Sequence, residues 1–352
     1  MTSFLHVVGA RPNFVKAAPV FRALRSAGVT TQWLVHTGQH YDANLSDDIA
    51  QAVGLPTPDV RLEVGAVAAG RQVAAVRVGV AEACARFRPD VLVAYGDVNS
   101  TLGATLGAAE AGVAVAHVEA GLRSRDWRMT EELNRILVDH ASRWLFATDE
   151  TAFLNLRTEG VPADRIHVVG NVMADTLLTA LSTRAEPGEH AVVTLHRPES
   201  VENPEVLRAL VSSIARLARR TQVLFPTHPR TRARLDALGL QESLRADGLE
   251  FLPPLGYLDM ARAVDSARVV VTDSGGLQDE CAVLGVPCIT LRDTTERPAT
   301  VACGSNRVVG TAPEAIAAAI EAVWAGPRRV PERPPLWDGH AATRIAEILA
   351  PR

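Results

Sequence analysis

The chain has 352 residues, 47% of them hydrophobic and only 5% aromatic, with a formal net charge of −4. That length fits two domains of ordinary size, and an apolar share dominated by Ala, Val and Leu suits short buried strands and Ala-rich helices. The charge offers no basic field for nucleic acid, and no stretch approaches the 18 uninterrupted apolar residues that argue for a membrane span. The four cysteines, Cys84, Cys281, Cys288 and Cys303, are scattered, which fits reduced thiols, and the start of the chain lacks the basic and apolar regions of a signal peptide. A cytoplasmic enzyme is the expectation.

In chain order, apolar runs predict strands at Phe4–Gly9, Gln32–His36, Val91–Tyr95, Val113–Val118 and Trp144–Ala147. Helical spacing predicts helices between them at Asn13–Ser26, Gln72–Phe87 and Thr101–Ala111. A polar stretch, Ser182–Glu189, contains Pro187 and Gly188 and marks a boundary. Beyond it strands are predicted at His190–Leu195, Gln222–Pro226, Leu249–Leu252, Arg268–Thr272 and Cys288–Leu291, with a helix at Pro204–Arg219. Continuous Val/Ile/Leu strands alternating with helices point to parallel sheets covered on both faces. The fold class is therefore α/β, with two Rossmann-like doubly wound domains, 1–181 and 190–335, facing a central cleft. A C-terminal helix in 339–352 is expected to pack back across them. Ligands of such folds sit at the carboxyl ends of the strands, where most of the polar clusters fall.

The first cluster, Gly9-Ala-Arg-Pro-Asn-Phe-Val-Lys16, is neither the Gly-x-Gly-x-x-Gly dinucleotide fingerprint nor a P-loop, so NAD and a nucleoside-triphosphate engine lose support. It places Arg11 and Lys16 at a helix start, as phosphate contacts or as solvated cations. Asp97 and Glu119, in Tyr95-Gly-Asp97 and His117-Val-Glu-Ala-Gly121, end adjoining buried strands. They are candidates for general acid and base or, alternatively, for helix caps. Glu131 is a third carboxylate, with Thr130 beside it as a candidate cap. His196 and His228 end strands in the second half, beside Arg197 and Pro229, and suit phosphate contact or proton transfer. The histidines and acidic groups are dispersed along the chain, so no metal site is expected.

The run Val269–Glu280 carries most information. An apolar strand stops, turns through Ser274-Gly275-Gly276 and re-enters as a helix with Glu280 one turn in. The unpaired amides and dipole of a helix start hold anions, glycines admit a ligand to the backbone, and Glu280 is placed for ribose hydroxyls. Arg297 adds a guanidinium for a diphosphate. The alternative is a glycine cap followed by an ordinary helix.

Together these residues make the chain resemble the non-hydrolysing UDP-N-acetylglucosamine 2-epimerases from about Val7 to Gly310. The resemblance is carried by Gly9–Lys16, His36-Thr-Gly-Gln-His40, Gly96-Asp97, His117–Arg123, Glu131–Arg135, Leu195–Glu199, Asp273–Gly276 and Asp293–Pro298. It implies a glycosyltransferase-B-like fold, usually dimeric, that acts on a UDP-sugar without a cofactor. Its catalytic set falls on Arg11, Lys16, Asp97, Glu119, Glu131 and His196. Its UDP contacts fall on Arg11, Lys16, His196, Ser274, Gly275, Gly276, Glu280 and Arg297, and an activator site falls on Gln39, His40 and Arg71. The implied reaction interconverts UDP-GlcNAc and UDP-ManNAc, by elimination of UDP to a 2-acetamidoglucal and re-addition. The alternatives are a hydrolysing 2-epimerase that releases UDP and ManNAc, and a paralogue acting on another UDP-2-acetamido sugar. Thr130, Asp279 and Cys281 depart from the commonest family pattern.

Overall fold

In a computed structural model describing residues 2–39, 49–246, 249–330 and 332–350, the chain divides into two compact units, Met1–Ala180 with Pro335–Arg352, and Leu181–Pro334. The apolar runs of the first unit become strands β1 (Phe4–Val8), β2 (Gln32–His36), β3 (Val60–Arg61), β4 (Val91–Tyr95), β5 (Ala114–Ala120), β6 (Trp144–Ala147) and β7 (Ile166–Val168). They form a 7-stranded sheet in the order β3-β2-β1-β4-β5-β6-β7, with every paired neighbour parallel. β1 and β4 are buried along their whole length, as strands covered on both faces must be. Its helices include α1 (Arg11–Ser26), α2 (Ala69–Phe87), α3 (Asn99–Glu110), α4 (Thr130–Ala141), α5 (Glu150–Thr158) and α6 (Val172–Ala180).

In the second unit β8 (Ala191–Thr194), β9 (Val223–Pro226), β10 (Leu249–Leu252), β11 (Val269–Thr272), β12 (Cys288–Thr290) and β13 (Asn306–Val308) form a 6-stranded parallel sheet, ordered β10-β9-β8-β11-β12-β13. Its helices are α7 (Pro198–Val201), α8 (Pro204–Ala218), α9 (Pro229–Ala237), α10 (Gln241–Ala246), α11 (Tyr257–Ser266), α12 (Gly275–Leu284), α13 (Pro298–Ala302) and α14 (Pro313–Ala325). The start of α8 shows the local logic. Pro204 supplies a fixed φ at the first position, while the Asn203 carboxamide accepts from the amides of Glu205 and Val206.

Both sheets reverse direction between their first strand and the fourth, β1/β4 and β8/β11. Such a switch point leaves a crevice beyond the strands' carboxyl ends, so the segments after β1, β4, β8 and β11 are where each unit can take a ligand.

Three edge strands, β3, β7 and β13, were not predicted from sequence. Each has two or three residues and lacks the continuous apolar run of a strand buried on both faces. α1 starts two residues before its predicted position, because Pro12 fits a helix's first turn. The final helix, α15 (Ala341–Leu349), packs on α1 and α6 within the first unit. The Asp175 carboxylate caps it, accepting from the amides of Ala341 at 3.2 Å and Ala342 at 2.7 Å. Before it, Trp337 is 2% exposed and donates Nε1–H to the Thr148 carbonyl at 3.0 Å. Trp337→Ala is expected to lower unfolding free energy by about 3–5 kcal/mol, from lost burial and a stranded carbonyl, as read in urea titrations.

Candidate functional site

In the first unit the polar residues gather after β1, β4 and β5. Asn13 shapes the turn after β1, where its side-chain oxygen accepts from the Gly9 amide at 3.1 Å and the Ala10 amide at 3.0 Å. Its Nδ2 donates to the Tyr95 carbonyl at 2.9 Å, which ties this turn to the end of β4. Lys16, on the same helix, is only 4% exposed, and its Nζ lies 2.6 Å from Glu119 Oε2. The Lys16 ammonium also lies over Gly96, where an added Cβ would come within 2.8 Å of it, and Gly96 has φ +65°. Here glycine is required both by conformation and by space.

Glu119 sits at φ +74°, in the left-handed region that non-glycine residues rarely enter, where the β5–β6 register shifts between Val118 and Ala120. The bulge turns Glu119 out of the sheet's alternation and toward Lys16. Asp97 receives two bonds from Arg135 on one oxygen, Nε–H at 2.9 Å and Nη2–H at 2.6 Å, and its side chain is 22% exposed. Asn134 holds the Asp97 carbonyl at 2.9 Å.

α4 corrects one expectation. Thr130 does not cap it: Met129 is the flanking residue, and no side chain caps this end. Buried Glu132 instead accepts from the amides of Ser124 at 2.9 Å and Arg125 at 2.8 Å, and from Arg135 Nη1 at 2.7 Å. Burial alone would raise its pKa, but these donors hold it below the ordinary carboxylate range. Glu131 is exposed in the same first turn, and Arg11 opens α1, part exposed. Of the expected activator residues, Gln39 is buried and its side-chain oxygen accepts from Ser100 Oγ at 2.7 Å and N at 3.2 Å. Arg71 is exposed in the first turn of α2, and His40 lies outside the described residues.

In the second unit, β8 leads to His196 and β11 to Ser274. Asp273, fully buried, lies 2.8 Å from His196 Nδ1 and accepts from the amides of His196 and Arg197, both at 3.0 Å. Burial would raise the Asp273 pKa, but His196 and the two amides outweigh it and hold the carboxyl low. An ionised Asp273 sets the proton on His196 Nδ1 and leaves Nε2 available on a side chain that is 42% exposed. His228 caps α9, where its Nδ1 accepts from the Arg230 amide at 3.2 Å.

Ser274 precedes α12, whose first turn holds Gly275 and Gly276. The Ser274 amide already donates to Thr272 Oγ1 at 2.9 Å, so a candidate anion site at this helix start would rest on the glycine amides. An added Cβ at Gly275 would lie 2.6 Å from Glu296 Oε1. Arg297, 7% exposed, lies behind this turn with Nε 3.3 Å from Asp279 Oδ2. Gln278 braces its loop, accepting from Thr295 Oγ1 at 2.6 Å.

Among the described residues neither Glu280 Oε2 nor the Tyr257 hydroxyl, both buried, has a hydrogen-bond partner, which makes them candidates for contact with a polar ligand. Burial, reinforced by Asp279, pushes the Glu280 pKa up to about 8. Unfolding releases that constraint, so its contribution is fully present below the ordinary carboxyl pKa and is lost as pH rises through about 8. Glu280→Gln is therefore expected to raise thermal stability at pH 9 by on the order of 2–3 kcal/mol and to change little at pH 4. Differential scanning calorimetry at both pH values checks this.

Sequence reasoning missed Asn13, Arg135, Glu132 and Tyr257. Only Arg135 left a usable signal, a cation one turn beyond a Glu pair.

Two doubly wound units define a two-domain α/β enzyme of the glycosyltransferase-B-like fold. One carries a carboxylate–ammonium cluster at its switch point, and the other carries a glycine-rich helix start backed by an arginine. The chain belongs to the UDP-N-acetylglucosamine 2-epimerase family, whose profile matches residues 22–350. It is 37% identical to the UDP-N-acetylglucosamine 2-epimerase of Methanocaldococcus jannaschii, covering 97% of each chain. It is 36% identical to the UDP-2,3-diacetamido-2,3-dideoxy-D-glucuronate 2-epimerase of Pseudomonas aeruginosa, covering 98% of this chain and 99% of that one. The solved M. jannaschii enzyme in complex with UDP-GlcNAc and UDP superposes with a TM-score of 0.91 at 36% identity, covering 99% of both chains.

Proposed function

We propose that this epimerase interconverts UDP-GlcNAc and UDP-ManNAc by eliminating UDP across C1–C2 to a 2-acetamidoglucal, and by re-adding UDP as C2 is reprotonated from the opposite face. The observation that carries the reading is Glu119, turned out of β5 at φ +74° and paired with buried Lys16, with Asp97 at the end of the adjoining strand. The C2 proton of a 2-acetamido sugar is not acidic, so its removal needs a positioned carboxylate and departure of a stabilised leaving group. Asp97, Glu119 and Glu131 divide the acid, base and oxocarbenium-stabilising roles. In the second unit His196 and Arg297, with the Gly275 and Gly276 amides, stabilise charge on the departing diphosphate, and the Ser274 hydroxyl is a further contact; Arg11 and Lys16 are the first unit's candidate phosphate contacts. Glu280 receives the ribose hydroxyls, which supplies the partner that its buried Oε2 lacks among the described residues. No cofactor enters this scheme. Gln39, His40 and Arg71 would form a second, activating site for the same substrate.

The test is incubation with UDP-GlcNAc in D₂O, followed by proton NMR. A UDP-linked manno product with deuterium at C2, reached from either epimer, is the expected result. Free UDP with N-acetylmannosamine would replace the reading by the hydrolysing enzyme. An unchanged spectrum would overturn this substrate and make the UDP-diacetamido-glucuronate handled by the P. aeruginosa relative the next sample. We assign the enzyme to the cytoplasm, supported by its four free thiols, and to a homodimer, which sedimentation of the purified chain would test.

A further inference from the structure

The Glu119 backbone is strained, and a left-handed non-glycine residue persists only where its surroundings over-determine it. The holding structure is a buried polar chain. His117, two residues before Glu119 and fully buried, brings Nε2 within 2.8 Å of the Gly96 carbonyl and Nδ1 within 2.7 Å of Asp139 Oδ1. Asp139, also fully buried, accepts on its other oxygen from the Gly121 amide at 3.1 Å and from Arg123 Nη2 at 2.8 Å. Arg123 continues outward, donating Nε–H to Glu159 Oε1 at 2.8 Å and Nη2–H to Oε2 at 2.7 Å.

Burial would raise the pKa of Asp139, but His117 and Arg123 together hold it below the usual range. Its oxygens therefore act as acceptors only. The bulge is thus pinned before Glu119 through His117 and after it through Gly121. Gly96 is gripped on both sides by β5, its carbonyl by His117 and its amide by the Val118 carbonyl at 3.0 Å. Asp97 is the next residue. Asp139 lies one turn beyond Arg135 on α4, so one helix holds Asp97 through Arg135 and the bulge through Asp139.

We infer that His117 and Asp139 are positioning residues, which fix Glu119 and Asp97 relative to each other without touching substrate. This rests on the proposed roles of those two carboxylates. Asp139→Asn keeps the shape but removes the charge that orients the His117 ring. It is expected to lower kcat about 10- to 100-fold while KM and UDP affinity stay within about twofold, because misplacing a reacting group by an ångström is enough for such a loss.

The discriminating experiment repeats Asp139→Asn in a Glu119→Gln background. If the dyad works through Glu119, the second substitution adds little there, whereas a merely structural role slows both backgrounds equally. Equal slowing, or a wild-type kcat in the single variant, overturns the inference. Should Asp139→Asn fail to fold, as judged by lost UDP binding, His117→Gln carries the same cycle. Glu159→Gln, at the half-exposed outer end, is expected to leave kcat unchanged. Wild-type enzyme that failed to epimerise any UDP-2-acetamido sugar in D₂O would defeat the underlying functional reading instead, so the two failures are distinguishable.

Discussion

Glu119→Gln should lower kcat by about three orders of magnitude, within the range general acid–base groups contribute, while UDP affinity changes little. Two physical effects combine. The amide neither takes nor gives a proton at neutral pH, and it no longer balances Lys16, which is 4% exposed with its ammonium 2.6 Å from Glu119. A buried charge that loses its partner costs about 3–5 kcal/mol in the worst case, and because the Gln oxygen can still accept from Lys16, about 1–3 kcal/mol is expected. Steady-state kinetics with parallel urea titrations separates the two effects. Asp97→Asn is expected to give a comparable kinetic loss with less destabilisation, since its side chain is 22% exposed and the amide oxygen can still accept from Arg135. Turnover within tenfold of wild type in both variants, with substrate still bound, would remove the carboxylates from the chemistry.

Arg297→Ala should weaken UDP binding on the order of 100-fold, equivalent to one or two charge-assisted hydrogen bonds. The guanidinium is buried behind the Gly275 turn, with Nε 3.3 Å from buried Asp279. Its removal takes a cation from beside the Asp279 carboxylate, whose charge then repels a diphosphate. Arg297→Lys should recover little, because an ammonium cannot face Asp279 and an anion with separate nitrogens of one planar fork. Isothermal titration with UDP measures both variants. Arg297→Ala binding with wild-type affinity would place the diphosphate elsewhere. Because this test reads binding alone, it stands apart from the kinetic one.

Most of the central framework was legible from residue order. The strands buried on both faces read as unbroken apolar runs, and the polar motifs that follow them fall at carboxyl ends in each sheet. The edge strands β3, β7 and β13 were not legible, because two or three residues paired on one side carry no distinctive pattern. Glu131 and Glu132 look alike as a pair in sequence. Only the fold shows that Glu132 is turned inward to hold the Ser124 and Arg125 amides while Glu131 stays exposed. Gln39 is similar: only the fold shows that its side-chain oxygen accepts from Ser100.

By itself the sequence determined the α/β class, the family, and which residue types stand at which strand ends. These follow from local composition: apolar runs with the two periodicities of helix and strand, and glycines where a turn needs them. Only the tertiary structure decided which of those residues meet. Lys16 and Glu119 are far apart in the chain, and their contact depends on β1, β4 and β5 lying side by side and on a bulge that no local pattern announces. The same holds for Asp139 beneath His117, Arg135 on Asp97, and Asp279 behind Arg297. A side chain's charge is written in the sequence, but its partner, and hence its protonation and direction, depends on packing between elements remote in the chain.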